Sequence, residues 1–257
     1  MKKLISLICV LAMVLALAAC GSSAPAAATE APAASTEAPA EDVSADKTFV
    51  VGICQLVQHP ALDAATQGFK DALTEALGDK VTFQEQNASG DSATCSLICN
   101  QFVSDEVDLI MANATASIQA AASATNTIPI LGTSITDYGV ALGVDNWTGV
   151  SGTNISGTSD LAPLDGQAAM IQELFPDAKT IGLLYCSGEP NSIFQADSME
   201  ALLTDMGYSV ERYTFADSND VSSVTANACS NADVLYIPTD NTAASCTEAI
   251  NNVAEPA

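Results

Sequence analysis

The sequence predicts an α/β protein made of two similar doubly wound lobes, each a parallel sheet with helices on both faces, joined by a hinge. Three observations predict it. From Thr48 onward, short β-branched runs alternate with longer stretches of helical period. The same order of elements returns after residue 179 with the same punctuation. Hydrophobic residues make up 48% of the 257 residues, enough for the cores of two modest domains.

Ahead of the folded part, Lys2 and Lys3 precede an uncharged apolar run from Leu4 to Ala19. A cationic start, a short apolar region and small residues before a cleavage point make a secretory signal. The run falls short of the roughly 20 apolar residues that span a bilayer. Cys20 directly follows Leu17-Ala18-Ala19, a pattern that resembles the lipobox of bacterial lipoproteins, so Cys20 is expected to carry lipid and tether the mature chain to the membrane. Residues 21 to 46 are mostly Ala, Pro, Ser, Thr and Glu, too poor in branched and aromatic side chains to bury a core. They read as a flexible tether with a reach of about 28 Å. The organisation expected is therefore 1–19 signal peptide, 20–46 lipid-anchored linker, 47–155 first lobe and 156–257 second lobe.

Within the first lobe, Thr48 to Cys54, Val81 to Gln86, Val107 to Met111 and Ile128 to Gly132 read as buried strands. Between the first two, Leu62, Ala65, Phe69, Leu73, Ala76 and Leu77 recur at helical spacing, with Pro60 at a permitted start and Gly78 at the stop. A second helix starts at Asp91, a capping residue, and carries Leu97, Ile98, Phe102 and Val103. Strand and helix in alternation imply a parallel sheet covered on both faces.

The second lobe repeats the first. Gly52 matches Gly182, Pro60 matches Pro190 and Phe69 matches Met199; Gly78, Val81, Asp91 and Asp108 match Gly207, Val210, Asp220 and Asp233 at slightly shorter offsets, as short loop deletions would leave. In the first copy the helix near Thr115 to Thr125 is followed by a buried strand. In the second, the helix after Asn241 runs to Glu255-Pro256-Ala257, where the next strand is due, so the second lobe is expected to be incomplete and the chain a piece of a longer protein. The segment from Asn154 to Pro163, between the copies, reads as the hinge.

A formal charge of −24 argues against nucleic acid, which needs a basic stripe. No glycine loop ending in Lys is present to cradle a nucleoside triphosphate. His59 is the only histidine, which disfavours a catalytic triad or a zinc protease, so no catalytic residue and no cofactor are expected. Cys54, Cys95, Cys99, Cys186, Cys229 and Cys246 fall in the lobes without the spacing of a metal site, and read as small buried hydrophobes or as oxidisable thiols.

Polar residues cluster where strands end, the place where parallel sheets hold ligands. The first lobe offers His59, Leu62 and neighbours after its first strand, Asn113, Thr115 and Ser117 after its third, and Thr136 and Asp137 after its fourth. The hinge adds Asp160. The second lobe offers Glu189, Asn191 and Ser192, then Thr239, Asp240 and Asn241. Hydroxyls and helix-end N–H groups would take an anionic head, and Asp137, Asp240 or Glu189 a cationic one, a combination suited to a zwitterion such as an amino acid. The same residue types also cap helices, so each alone has an ordinary structural reading.

His59-Pro60-Ala61-Leu62-Asp63, Ser89-Gly90-Asp91, Asp160-Leu161-Ala162-Pro163, Glu189-Pro190-Asn191-Ser192 and Pro238-Thr239-Asp240-Asn241-Thr242, in this order, resemble the substrate-binding lipoproteins of ABC transporters, in the branch associated with tryptophan and tyrosine uptake. The resemblance runs from about Thr48 to Ala257. It implies two periplasmic-binding-protein-like lobes that close on an aromatic amino acid and deliver it to ABC permease subunits driven by a separate ATPase. It further implies an extracytoplasmic monomer, and a C-terminal crossing strand that this chain lacks. A binder of sugars or nucleosides, which would want more aromatic platforms than one Trp and five Tyr supply, and a sensor without a transporter are the alternatives.

Overall fold

A computed structural model describes residues 47–256. The predicted signal, the tether and the lipid site at Cys20 lie outside the described residues. The first sheet holds β1 (Phe49–Gln55), β2 (Val81–Asn87), β3 (Leu109–Asn113), β4 (Ile130–Ile135) and β5 (Ile155–Ser159), all parallel in the order β2-β1-β3-β4-β5. Its helices are α1 (Pro60–Leu77), α2 (Ser92–Ser104), α3 (Thr115–Ala124) and α4 (Tyr138–Leu142). The second sheet holds β6 (Thr180–Cys186), β7 (Ser209–Phe215) and β8 (Val234–Tyr236), parallel in the order β7-β6-β8. Around it lie α5 (Leu164–Leu174), α6 (Pro190–Asp205), α7 (Val221–Asn231), α8 (Asn241–Ser245) and α9 (Thr247–Ala254).

Each sheet is wound on both faces because alternate residues of a strand point to opposite sides. Val51 and Ile53 pack with Met111 under Phe69, Leu73 and Leu77 of α1, whereas Cys54, Ile110 and Ala112 pack under α2 and α3 with Phe102 and Ile118. In the second lobe Ile181, Leu183 and Tyr185 face α5 and α6, and Leu184 faces α7 and α9. Gly52 is required by a close approach, since a Cβ there would sit 2.6 Å from the Phe102 ring. At the matching position, a Cβ on Gly182 would meet Leu235 at 2.8 Å.

The internal repeat extends to hydrogen bonding. Asp108 receives Val50 N–H on its carboxylate at 2.9 Å and returns its own N–H to Val50 O at 2.8 Å. Asp233 receives the N–H groups of Lys179 and Thr180 at 2.8 and 2.9 Å and returns its N–H to Thr180 O at 2.9 Å. In both lobes one aspartate before a strand thus pins the start of that lobe's first strand, β1 or β6.

One boundary differs from the sequence reading. Residues 156–159, expected to begin the second lobe, continue from Ile155 as the fifth strand of the first sheet, paired with β4. Only Ile155 of that strand is buried, so Ser156, Gly157, Thr158 and Ser159 carry none of the apolar signal of a strand. The chain passes between sheets at Asp160 to Pro163.

Candidate functional site

The carboxyl ends of both sheets border a cavity of about 250 Å³. First-lobe walls come from His59, Ala61 and Leu62 at the start of α1 and from Ser134 and Thr136 at the end of β4. Asp160 enters from the crossing segment. The second lobe contributes Asn191, the run from Ile237 to Asn241, and Ala243, Ala244, Thr247 and Ile250 of α8 and α9. The volume lies just below the usual roughly 300–1,000 Å³ of small-molecule sites.

Local structure explains the placement. His59 caps α1, its Nδ1 accepting Leu62 N–H at 3.5 Å, and Pro60 fills the first helical position where no N–H is needed. A register shift between Gly132 and Ile135 marks an irregularity in β4, and Ser134 within it has φ +56°. Such bulges re-aim side chains beside sites, and here Ser134 lines the cavity. Asp240 caps α8, where Oδ1 accepts Ala243 N–H, and its Oδ2 accepts Cys186 N–H at the end of β6, both at 2.7 Å.

Of the sequence-predicted residues, the cavity brings together His59, Leu62, Thr136, Asp160, Asn191, Thr239, Asp240 and Asn241. The others lie elsewhere, each for a physical reason. Asn113 is fully buried and gives its amide to Leu62 O and Thr66 Oγ1, tying α1 to β3. Thr115 is buried in the first turn of α3. Ser117 faces the thiols of Cys54 and Cys95, 3.6 and 3.7 Å from its hydroxyl. Asp137 is the cap of α4, accepting Val140 N–H at 2.7 Å. Ser192 is fully buried beside Asn191.

Glu189 is corrected as a receiver of a cationic ligand group, because its carboxylate is already occupied. Oε2 accepts from Asn191 Nδ2, Asn241 N and Asn241 Nδ2, and Oε1 accepts from the N–H and hydroxyl of Thr242, all at 2.8 to 3.1 Å. It borders a second interlobe cavity of about 400 Å³, lined also by Leu56, Val57, Gly90, Cys186 and Asp217. Asp240 is similarly committed to two backbone N–H groups. Burial, and then the neighbouring charge of Glu189, push its pKa up against those bonds.

Asp160 differs. Its residue surface is exposed along the cleft, and its backbone N–H is spent on Ile135 O. Burial of the carboxyl still raises its pKa, opposed first by its own backbone N–H and then by Thr136. No Lys or Arg lines either cavity. An anionic ligand group would therefore rest on N–H and O–H donors, and a cationic one on Asp160.

Sequence reasoning passed over Ser134, two residues before Thr136, because nothing in the sequence marks its bulge. It also missed Ile237, Ala243, Ala244, Thr247 and Ile250, whose small and aliphatic side chains read as core. Among the described residues the six cysteines are unpaired, and no group of His, Cys, Asp and Glu is placed to hold a metal.

A two-lobed α/β protein with a mixed polar and aliphatic cavity between its lobes is, by architecture, a cleft-type binder of small molecules. Residues 50–257 match the model of the family described as ABC transporter substrate binding protein, and the chain belongs to that family. A tyrosine-binding protein of Clostridioides difficile (strain R20291) is 39% identical over 207 residues, which are 79% of this chain and 60% of the relative. The chain thus spans about three fifths of the length of that curated relative. A crystal structure from Streptococcus pneumonia, of an ABC domain in complex with L-Trp, superposes with a TM-score of 0.78 at 32% identity, covering 82% of this chain and 72% of that one. A ligand-free, open substrate-binding protein with adhesive properties from Clostridium difficile superposes at 0.56 despite 39% identity, covering 81% and 72%.

Proposed function

We propose that this chain is the solute-binding component of an ABC importer, capturing a zwitterionic aromatic amino acid in the interlobe cavity and presenting it to permease subunits. The observation that carries the reading is the cavity itself. Both lobes wall it, Asp160 offers an open carboxylate on one side, and uncharged donors surround the rest. The ligand's ammonium lies at Asp160, and its carboxylate lies among the donors of Ser134 and Thr136 and the Ala61 N–H at the start of α1. Leu62, Ile237, Ala243 and Ile250 receive the side chain. The printed descriptions of two relatives, one binding tyrosine and one holding L-Trp, support the aromatic class.

The mechanism is hinge closure. Ligand contacts made by both lobes favour the closed form, which alone presents a composite surface to the permease. The better superposition on the L-Trp complex than on the open protein, at lower identity, supports reading the present arrangement as closed. The crossing at Asp160 to Pro163 serves as hinge, so that one residue both bends with the lobes and meets the ligand. In this reading, removal of residues 1–19, lipid on Cys20 and a tether of residues 20–46 hold the lobes outside the cytoplasmic membrane, and the chain acts as a monomer. The role is binding rather than catalysis.

Thermal unfolding of the chain against the twenty amino acids, several sugars and several nucleosides tests the reading. A ligand at 100 times its dissociation constant stabilises by about 2.7 kcal/mol. Tryptophan, tyrosine or phenylalanine should raise the midpoint, and a shift confined to a sugar or nucleoside would overturn the ligand class.

A further inference from the structure

β4 and β5 keep a regular register as far as Gly132 opposite Gly157 and resume it at Ile135 opposite Ser159. Between those pairs β4 advances three residues while β5 advances two, and the extra length puts Ser134 into the cavity. Tyr138, the first residue of α4, meets the break. Its hydroxyl reaches Gly132 O at 3.1 Å and Thr158 O at 3.3 Å, one carbonyl from each strand, and shares its one proton between them. That hydroxyl needs room. A Cβ on Gly132 would lie 2.5 Å from it, and a Cβ on Gly157 would collide with it, so glycine faces glycine where the tyrosine enters.

The Tyr138 ring is buried, stacks on Trp147 and does not line the ligand cavity. What its hydroxyl holds does line it. Thr158 lies two residues before Asp160, whose N–H bonds Ile135 O at 3.1 Å just past the bulge, and Ser159 gives its hydroxyl to Thr136 O at 2.8 Å. Ser134, Thr136 and Asp160 therefore all belong to the short stretch that Tyr138 ties. Burial, and then the charge of Asp160, push the Tyr138 pKa up to about 12, so the phenol stays a donor near neutral pH, and the second cause places Asp160 close by.

We propose that Tyr138 is a positioning residue whose hydroxyl locks β4 to β5 across the bulge and thereby fixes where Ser134 and the Asp160 carboxylate stand in the cavity. Phenylalanine would keep the ring and its stacking but deprive two carbonyls of their shared donor. The end of β5 would then be held only through Ser159 and the Asp160 N–H, and the bulge would relax with Ser134 and Asp160 on it. The effect on ligand affinity rests on the reading of Asp160 as the ammonium's partner; the effect on Asp160 itself does not.

Carbon-detected NMR of the Asp160 carboxyl, assigned by its loss in Asp160→Asn, tests the lock without any ligand. In Tyr138→Phe the carboxyl should titrate lower than in the wild type as it gains solvent, and the Asp160 amide should exchange about tenfold faster relative to the amides of β1. A tyrosine with a merely structural role would lower the melting point and leave the titration and the relative exchange unchanged, and that result overturns the proposal. L-Tryptophan should bind Tyr138→Phe about tenfold more weakly, and the same substitution should cost less in the Asp160→Asn background; equal losses in both backgrounds contradict the lock. Should Tyr138→Phe not fold, the wild type decides: an Asp160 amide protected as well as those of β5 supports the lock, and one that exchanges freely overturns it. If the wild type binds no aromatic amino acid, the functional reading fails, while the titration and the exchange still decide the role of Tyr138.

Discussion

The two lobes repeat one unit but treat their cleft-facing polar groups differently. In the second lobe those groups are knitted together: Glu189 receives Asn191, Asn241 and Thr242, Asp240 receives Cys186 and Ala243, and Gln195 holds Thr239 at both N–H and carbonyl. In the first lobe and the crossing segment, Ser134 and Asp160 stand in the cleft, the Asp160 carboxyl with only its own N–H and the Thr136 hydroxyl beside it. The sheets differ as well. β3 has neighbours on both sides, whereas its counterpart β8 pairs with β6 alone among the described residues. The second lobe is a pre-tied wall on a smaller sheet, and the first is the more receptive one on a larger sheet. A polar residue at a strand end is therefore informative about binding only when its acceptors are still free.

The largest effects should come from the cores. Phe102→Ala and Phe215→Ala each remove a buried ring and should cost about 3–5 kcal/mol in urea denaturation. They sharpen the comparison because the single Trp147, stacked near Tyr138, reports the first lobe only. In Phe215→Ala the circular-dichroism transition should precede that of Trp147 fluorescence; coincident transitions would show that the lobes unfold as one unit.

Next in size is a pair of helix caps. Asp137→Ala removes one N-cap bond and should cost about 1 kcal/mol. Asp240→Ala removes a cap and also strands Cys186 N–H, so about 2–3 kcal/mol is expected. Equal losses in thermal denaturation would break the claim that the second wall is more tightly tied.

The smallest effects concern pH, and they have opposite signs. The Lys47 ammonium and Val50 N–H lower the pKa of Asp108, and the Thr180 and Lys179 N–H groups lower that of Asp233. Carboxylates with depressed folded pKa values contribute stability above their unfolded pKa and lose it as pH falls through the folded value. Asp108→Asn and Asp233→Asn should therefore flatten the loss of stability below about pH 4. Asp240 has a raised pKa, so its contribution is present below its unfolded pKa and is lost as pH rises through the folded one. Urea unfolding across pH, with a steeper decline above about pH 4 in wild type than in Asp240→Asn, checks that sign.

Much of the fold was legible because buried strands and glycine or proline punctuation are local signals. Pro60 and Pro190 open helices and Gly78 and Gly207 end them, as their spacing implied. β5 was not legible, since Ile155 is its only buried side chain. The site was half legible. Strand-end position singled out Asp160, Thr136 and His59 together with Asn113, Ser117 and Glu189, because sequence reports which residues end strands and not which of their atoms already have partners. The aliphatic wall from α8 and α9 looked like core because Ile250 serves both.

The central claim is that a free carboxylate at Asp160 holds a zwitterion between the lobes, and calorimetric titration of L-tryptophan and L-tyrosine into the wild type and Asp160→Asn tests it most directly. The account predicts binding to the wild type and a more than tenfold weaker dissociation constant in the variant, about 1.4 kcal/mol or more, with an unchanged melting point. Equal affinity in both proteins, or no binding of either amino acid to the wild type, would contradict it.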